Sequence, residues 1–170
     1  MAKNNVVLIG MPGAGKSTVG DLLARSLKAP FIDTDALIRQ KEGLSLQEII
    51  LHKGKENFLK IEEEAVLELA CEGAVIATGG SVVYSAASME HLSGTGIVVY
   101  LDLKYHNLEK RIKNLESRGI AIEKGQSLYD LYRERTPLYL KYADITVKCS
   151  HRHINDIVAE ITEKISKYTK

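Results

Sequence analysis

Short apolar runs alternate with amphipathic stretches along the whole chain. The apolar runs predict buried strands at residues 5–9, 30–33, 74–77, 97–101 and 145–147. Between them, apolar residues recur at the three- to four-residue spacing of helices. Because strands that alternate with helices pair side by side in one direction, the pattern predicts an α/β fold with a mainly parallel sheet.

Glycines and capping residues mark where the helices begin and end. Gly43 follows one helical pattern, and the sequence Ser45-Leu46-Gln47-Glu48 is a capping box that opens the next. One helix is predicted from residue 17 onward and another at 34–41. A third begins at 45 and breaks at Gly54, after which a long helix continues to about 71. Further helices are predicted at 85–92, 104–115, 128–141 and 154–168. Residues 117–127 contain two glycines and little periodicity, which predicts a mobile loop.

The first predicted strand runs directly into a glycine-rich loop, GMPGAGKS, at residues 10–17. This sequence fits the pattern G-x-x-x-x-G-K-[ST], in which backbone N–H groups and a helix N-terminus cradle phosphate oxygens. The lysine reaches the β- and γ-phosphates, and the hydroxyl ligates Mg²⁺. An ordinary glycine turn is the alternative, but the strand before the loop and the helix after it favour a nucleotide site. The predicted nucleotide-binding residues are Gly13, Ala14, Gly15, Lys16, Ser17 and Thr18.

Polar residues follow two further strands at the edge of the sheet where ligands bind in open α/β folds. Asp33 and Asp35 place two carboxylates at one strand end. One could hold Mg²⁺, and the other could orient or deprotonate an acceptor hydroxyl. The alternative is a pair of helix N-caps. Gly79 and Gly80 offer bare backbone for close approach of a substrate, or else form a simple turn.

Two arginines are candidates for binding negative charge. Arg118 lies in the predicted mobile loop, where it could neutralise charge on a transferred phosphoryl group. Arg135 could hold a carboxylate by two parallel hydrogen bonds. In both cases a solvated surface arginine is the alternative.

Composition limits the class of protein. A length of 170 residues fits one domain, and a net charge of +1 gives no broad attraction to nucleic acid or membrane. Cys71 and Cys149 are far apart in the sequence, which favours reduced thiols over a disulfide or metal site. Because the first apolar run is short and enters the glycine loop, we expect no signal peptide and a cytoplasmic location.

The ordered combination of these motifs resembles the shikimate kinase family, within the P-loop kinases related to nucleoside monophosphate kinases. The glycine loop alone indicates only the superfamily, whereas the D-x-D segment at Asp33 and the sequence RTPLY from Arg135 are more specific. The resemblance implies one three-layer domain over residues 1–170, with a five-stranded parallel sheet, an acceptor-binding region at about 34–62 and a lid at about 115–128. It also implies a monomer that uses ATP and Mg²⁺.

The implied activity is ATP-dependent phosphorylation of a small hydroxylated carboxylic acid, namely shikimate to shikimate 3-phosphate, in the pathway to the aromatic amino acids. The enzyme would be a phosphotransferase with an alcohol group as acceptor. By the resemblance, Asp33 and Ser17 would serve the metal, Asp35 would bind acceptor hydroxyls and could act as base, and Arg118 would be the lid arginine. Arg111 would lie near adenine, Gly79 and Gly80 would line the acceptor pocket, and Arg135 would hold its carboxylate.

The sequence departs from the family pattern on the acceptor side. Leu59 stands where the family has an arginine that helps bind the carboxylate, and Ser81 stands where it has a third glycine. Arg39 and Lys55 each replace a glutamate, and the lid has Gly119 where a proline is usual. Loss of a charged hydrogen bond costs about 1.5–3 kcal/mol, or roughly ten- to a hundredfold in binding.

Arg39 could supply the missing guanidinium, and Lys55 could supply a cation because it lies one helical turn before Leu59. Alternatively, the acceptor is a related hydroxy compound such as a polyol, a sugar acid or a hydroxy amino acid. A third possibility is a nucleotide-binding paralogue without catalysis, although Asp33, Asp35, Arg118 and Arg135 argue against it.

Overall fold

The computed structural model describes residues 3–112 and 119–169. Five parallel strands form one sheet in the order β2-β3-β1-β4-β5, which confirms the predicted α/β class. The strands are β1 (Asn5–Ile9), β2 (Phe31–Asp33), β3 (Val75–Ala77), β4 (Gly96–Asp102) and β5 (Ile145–Lys148).

Helices follow each strand of the sheet. They are α1 (Lys16–Leu27), α2 (Thr34–Glu42), α3 (Leu46–Leu67), α4 (Ala86–Thr95), α5 (Tyr105–Arg111), α6 (Leu128–Tyr142) and α7 (Ile154–Tyr168), with a short 3-10 turn at Val82–Tyr84 before α4. α1 and α7 pack together, and α2 and α3 form a separate helical pair beside the sheet.

Helix ends agree with the capping signals more closely than with the apolar pattern. Ser45 and Glu48 form the predicted capping box, with Glu48 N donating to Ser45 Oγ at 3.2 Å and Ser45 N donating to Glu48 Oε2 at 2.8 Å. Gly54 does not end α3 but kinks it, at φ 81° and ψ 163°. The prediction that this helix reaches residue 71 is wrong, since α3 ends at Leu67 and Leu69 N folds back onto Val66 O.

α5 is also shorter than predicted. It ends at Arg111, and Ile112 leaves the helix at φ −104° and ψ 88°. Residues 113–115 of the predicted helix lie outside the described residues.

The core divides into two apolar clusters that leave a cleft between them. The larger covers both faces of the sheet, where every residue of the central strand β1 is buried and helices α1 and α4 contact it. The smaller fills the space under α2 and α3 around Ile38, Ile49 and Phe58. Cys71 and Cys149 are free thiols. In the described part of the chain, no helix is long and apolar enough to cross a membrane.

The strand register brings the three predicted functional segments to one edge of the sheet. Asp33 at the end of β2 pairs with Ala77, and Ala77 also lies beside Leu8 of β1. The glycine loop, Asp33 and the turn from Thr78 therefore emerge next to one another, at the carboxyl ends of neighbouring strands.

Candidate active site

The glycine loop wraps around the ammonium group of Lys16. Gly15 adopts a left-handed conformation, with φ 94°, that turns the chain into α1. Lys16 is 8% exposed, and its Nζ donates to the carbonyl oxygens of Gly10 at 2.7 Å and Met11 at 2.8 Å. Burial lowers the pKa of Lys16 to about 8, although the carboxylate of Asp35 works in the opposite direction. The loop therefore holds a positive charge at the base of the cleft.

Asp33 joins the loop to the second strand. Its Oδ2 accepts a hydrogen bond of 2.8 Å from Ser17 Oγ, and its Oδ1 accepts from the backbone N–H groups of Asp35 at 3.0 Å and Ala36 at 3.3 Å. Asp33 is thus the N-cap of α2 and a neighbour of Ser17 at once. A hydroxyl and a carboxylate side by side are the hard oxygen ligands that Mg²⁺ prefers, so the residues present fit this ion.

Asp35 lies in the first turn of α2, two residues after Asp33, and faces the cleft. Its Oδ1 is buried and has no hydrogen-bond partner among the described residues. Burial raises the pKa of Asp35, and the Lys16 charge opposes that effect. An oxygen left unpaired in this position can accept a proton or a hydrogen bond from a bound hydroxyl group.

Glu62 of α3 faces Asp35 across Gly79. Glu62 is 3% exposed, and its Oε1 accepts a hydrogen bond of 2.8 Å from Ser81 Oγ. A Cβ atom placed on Gly79 would lie 2.5 Å from Glu62 Oε2 and 2.9 Å from Asp35 Oδ1. The two carboxyl groups therefore approach each other as closely as they do only because residue 79 has no side chain.

Arg135 of α6 is 1% exposed, so it is not a solvated surface arginine. Its Nε donates to Tyr84 Oη at 3.1 Å, and its Nη2 donates to Ala121 O at 2.8 Å. Nη1 points towards Gly80, where an added Cβ would lie 3.0 Å away. Two nitrogens are thus held by protein, and the third is directed at the cleft wall, ready for an anionic group.

These residues enclose one cavity of about 260 Å³ that extends from the glycine loop to Arg135. Of the residues predicted from the sequence, those that line it are Gly13, Gly15, Lys16, Ser17, Thr18, Asp35, Gly79, Gly80, Ser81 and Arg135. Phosphate-binding and acceptor-binding groups therefore meet in a single space.

Other predicted residues lie around this cavity or away from it. Ala14 is buried behind the loop, and Arg111 lies over the loop, with Nη1 donating to Gly13 O at 3.1 Å. Arg39 is exposed on α2 one turn beyond Asp35 and is not part of the cavity wall. Arg118 lies outside the described residues.

Two of the departures from the family pattern lie on α3 but not in the wall of the main cavity. Leu59 lines a smaller cavity of about 130 Å³ that shares Glu62 and Ser81 with the main one. Lys55 Nζ pairs with Glu123 Oε1 at 3.2 Å and lies 6.0 Å from the ring centre of Tyr84. Neither side chain reaches the wall of the main cavity.

Some residues of the site have no role among the sequence predictions. For Glu62 the sequence does indicate an inward position, because Phe58, Glu62 and Val66 recur every four residues on the buried face of α3, where a carboxylate is out of place. Tyr84 and Ala121 carry no such signal, since only tertiary packing brings them to Arg135. Tyr139 stacks on Tyr100 of β4, and its hydroxyl donates to Gly80 O at 2.5 Å.

Comparison with known proteins gives consistent results. The family model described as shikimate kinase matches residues 12–166. A protein of Dehalococcoides mccartyi named shikimate kinase is 36% identical over 169 residues, which cover 98% of this chain and 96% of that protein. One of the same name from Haemophilus influenzae is 36% identical over 167 residues, covering 96% of this chain and 93% of that protein.

Solved structures agree in fold over nearly the whole length. Shikimate kinase from Acinetobacter baumannii, solved in complex with shikimate, has a TM-score of 0.90 at 32% identity and covers 97% of this chain and 94% of its own. Shikimate kinase from Aquifex aeolicus has a TM-score of 0.80 at 32% identity, covering 96% and 97% respectively. The chain belongs to the shikimate kinase family.

Proposed function

We propose that the protein transfers the γ-phosphoryl group of ATP to a hydroxyl group of shikimate, giving shikimate 3-phosphate and ADP. The observation that carries this proposal is the single cavity in which the glycine loop, Asp35 and Arg135 meet. Family membership supports it, as does the similarity over 97% of this chain to a protein solved with shikimate.

The nucleotide half of the site binds charge. Backbone N–H groups of the loop, the start of α1 and Lys16 hold the phosphates of ATP, while Thr18 and Arg111 complete its binding site. Ser17 and Asp33 would hold Mg²⁺, whose charge would neutralise part of the negative charge on the phosphates. The proposed lid at about 115–128 includes Arg118, which would stabilise the transferred group.

The acceptor half positions the hydroxyl group. Arg135 binds the acceptor carboxylate, and Gly79, Gly80 and Ser81 border the ring. Asp35 takes the proton of the acceptor hydroxyl as its oxygen bonds to the γ-phosphorus and the bond from phosphorus to the β–γ bridging oxygen breaks. Most of the rate acceleration then comes from alignment and charge neutralisation.

The domain, oligomeric and cellular assignments rest on membership of the family. We propose that one kinase domain spans residues 1–170, with its acceptor-binding region at about 34–62. It acts as a monomer in the cytoplasm, in the biosynthesis of aromatic amino acids, and its partner is the small hydroxy acid alone.

The decisive experiment measures ADP release with a panel of acceptors: shikimate, quinate, gluconate, homoserine and nucleoside monophosphates. Saturable turnover with shikimate alone supports the proposal, whereas turnover with another acceptor and none with shikimate contradicts it. Lys16→Ala should lower kcat by about a hundred- to a thousandfold with a folded protein, because it removes a donor to the transferred phosphate. Lys148→Ala, at an exposed lysine, is the matched control.

A further inference from the structure

Glu62 is a buried acidic group that the mechanism above does not use. Its Oε1 is occupied by the hydroxyl of Ser81 at 2.8 Å, but its buried Oε2 has no hydrogen-bond partner among the described residues. The side chain lines both the main cavity and the smaller one behind it. A buried oxygen with neither a protein donor nor bulk solvent is costly unless it carries a proton or meets a ligand.

No cation in the described part of the chain forms an ion pair with Glu62. The position three residues before it on α3, which faces the same side of a helix, is Leu59. The ammonium of Lys16 is held by loop carbonyls, and the guanidinium of Arg135 is held by Tyr84 and Ala121. An ionised Glu62 would therefore be a buried charge with a hydroxyl donor but no cation beside it among the described residues.

The groups that face Glu62 come from every element around it. Asp35 of α2 adds negative charge, while Lys16 of α1 and Arg135 of α6 add positive charge at longer range. Lys60, Glu63 and Tyr84 share the wall of the smaller cavity. The net result is that burial raises the pKa of Glu62 to about 7, reinforced by Asp35 and opposed by Ser81, Arg135 and Lys16.

We propose that Glu62 binds the acceptor in its neutral form, with a proton on Oε2 that is donated in a hydrogen bond to an oxygen of the anionic acceptor. This inference rests on the proposed function, because it concerns the acceptor half of the same cavity. Of the described residues that line the main cavity, a neutral Glu62 leaves Asp35 as the one carboxylate beside an acceptor that is itself negative. The proton thus offsets the arginine that is absent at Leu59.

The first test is the dependence of the acceptor KM on pH at saturating ATP. Binding to the neutral form alone predicts a constant KM below pH 6 and a rise of about tenfold by pH 8. Glu62→Gln keeps the shape and a donor but has no charge, so its KM should be flat over this range and within about threefold of the wild-type value at pH 6. Glu64→Gln, at an exposed residue of the same helix, should keep the wild-type profile.

Glu62→Ala separates loss of the donor from loss of the charge. It should raise the acceptor KM at pH 6 about tenfold or more, whereas Glu62→Gln should not. If both substitutions weaken the acceptor equally at pH 6, or if the wild-type KM does not change with pH, the proposal is wrong. A structural role alone would not produce a pH profile that the glutamine variant abolishes.

A second test does not require turnover. Carbon NMR of protein with labelled glutamate carboxyl carbons should show one resonance, absent from Glu62→Gln, that titrates near pH 7 without ligands. Titration of that resonance below pH 5 would overturn the proposal. If shikimate is not phosphorylated but this titration is found, the proposed substrate is wrong, whereas the neutral form of Glu62 is confirmed.

Calorimetry then connects the proton to the acceptor. In buffers of different ionisation enthalpy at pH 7.5, shikimate binding should take up roughly 0.7 proton in the wild type and none in Glu62→Gln. Shikimate binding with no proton uptake in the wild type would refute the coupling.

Discussion

Gly79 is the residue on which the arrangement of carboxyl groups depends. Its backbone lies between Asp35 and Glu62, and any Cβ there would come within 3 Å of both. Atoms cannot approach so closely without repulsion, so a side chain would push one or both carboxyl groups away. The glycine therefore has a packing function in addition to any N–H group that it offers to a substrate.

Gly79→Ala should raise the acceptor KM by about tenfold or more and leave the KM for ATP within about threefold, because the glycine loop is not touched. Steady-state kinetics with each substrate varied in turn provides the measurement. Gly94→Ala is the matched control, since an added Cβ at Gly94 meets nothing within 4 Å. An equal effect on both substrates would indicate general damage to the fold instead.

For individual residues, the sequence predicts the nucleotide side of the site better than the acceptor side. Lys16 and Ser17 lie in a contiguous motif whose local backbone fixes where they point. Glu62 and Tyr84 come from separate elements, and their approach to Gly79 and Arg135 depends on how α3 and α6 each pack against the turn at Val82–Tyr84. The helix-cap alternative for Asp33 does not exclude a position beside Ser17, because Oδ1 accepts from the N-terminus of α2 and Oδ2 accepts from Ser17 Oγ.

Among the elements, strands and capped helix starts are predictable from local sequence, and helix ends are less so. β1 and α7 have the predicted bounds because their apolar pattern and their flanking residues agree. α3 stops at Leu67 although apolar residues continue to Cys71, since Leu69 and Cys71 pack against the core from outside a helix. Apolar periodicity reports burial, and burial does not require helical backbone.

The contact between α1 and β2 gives a prediction for an element. Gly20 lies in the middle of α1, and a Cβ there would be 2.6 Å from Cε2 of the Phe31 ring. Gly20→Ala gains helix propensity of about 1 kcal/mol. Overpacking should nevertheless outweigh it and lower the free energy of unfolding by about 1–3 kcal/mol. Urea denaturation measures the change.

Removing the Phe31 ring tests whether overpacking causes the loss of stability. In the background of Phe31→Leu, Gly20→Ala should be neutral or stabilising, because the ring edge is gone and only the propensity gain remains. A loss of the same size in both backgrounds would mean that the ring is not the cause.

In the whole molecule, the loop that precedes α6 packs against both α3 and α6. Arg135 binds Ala121 O at 2.8 Å, and a Cβ on Gly119 would lie 2.6 Å from Leu46 Cβ and 2.7 Å from Gln47 N at the start of α3. The pair between Lys55 and Glu123 spans the same gap, but Glu123 is largely exposed, so it adds little stability. The close packing at Gly119 and the buried bond to Arg135 therefore account for most of the connection.

Burial of Glu62 also makes the stability of the whole protein depend on pH. Burial in the folded state raises the pKa of this carboxyl from its ordinary value of 4.5 to about 7. Below the lower value it is protonated in both states. Between the two values the folded state binds more protons than the unfolded state, so the free energy of unfolding falls as pH rises. Above pH 7 the carboxyl is ionised in both states, and folding bears the full cost of the buried charge.

Glu62→Gln removes this dependence because the amide never ionises. Relative to wild type, the variant should therefore gain about 2–3 kcal/mol in free energy of unfolding between pH 5 and pH 8. Lys16, with a pKa lowered to about 8 by burial, titrates in both proteins, so its contribution largely cancels in the difference. Urea denaturation at pH 5, 6.5 and 8 measures the gain, with Glu64→Gln as the exposed control. If the difference in free energy of unfolding between variant and wild type stays constant from pH 5 to pH 8, Glu62 is ionised throughout that range. A neutral carboxyl then contributes neither to the stability of the fold nor to the binding of the acceptor.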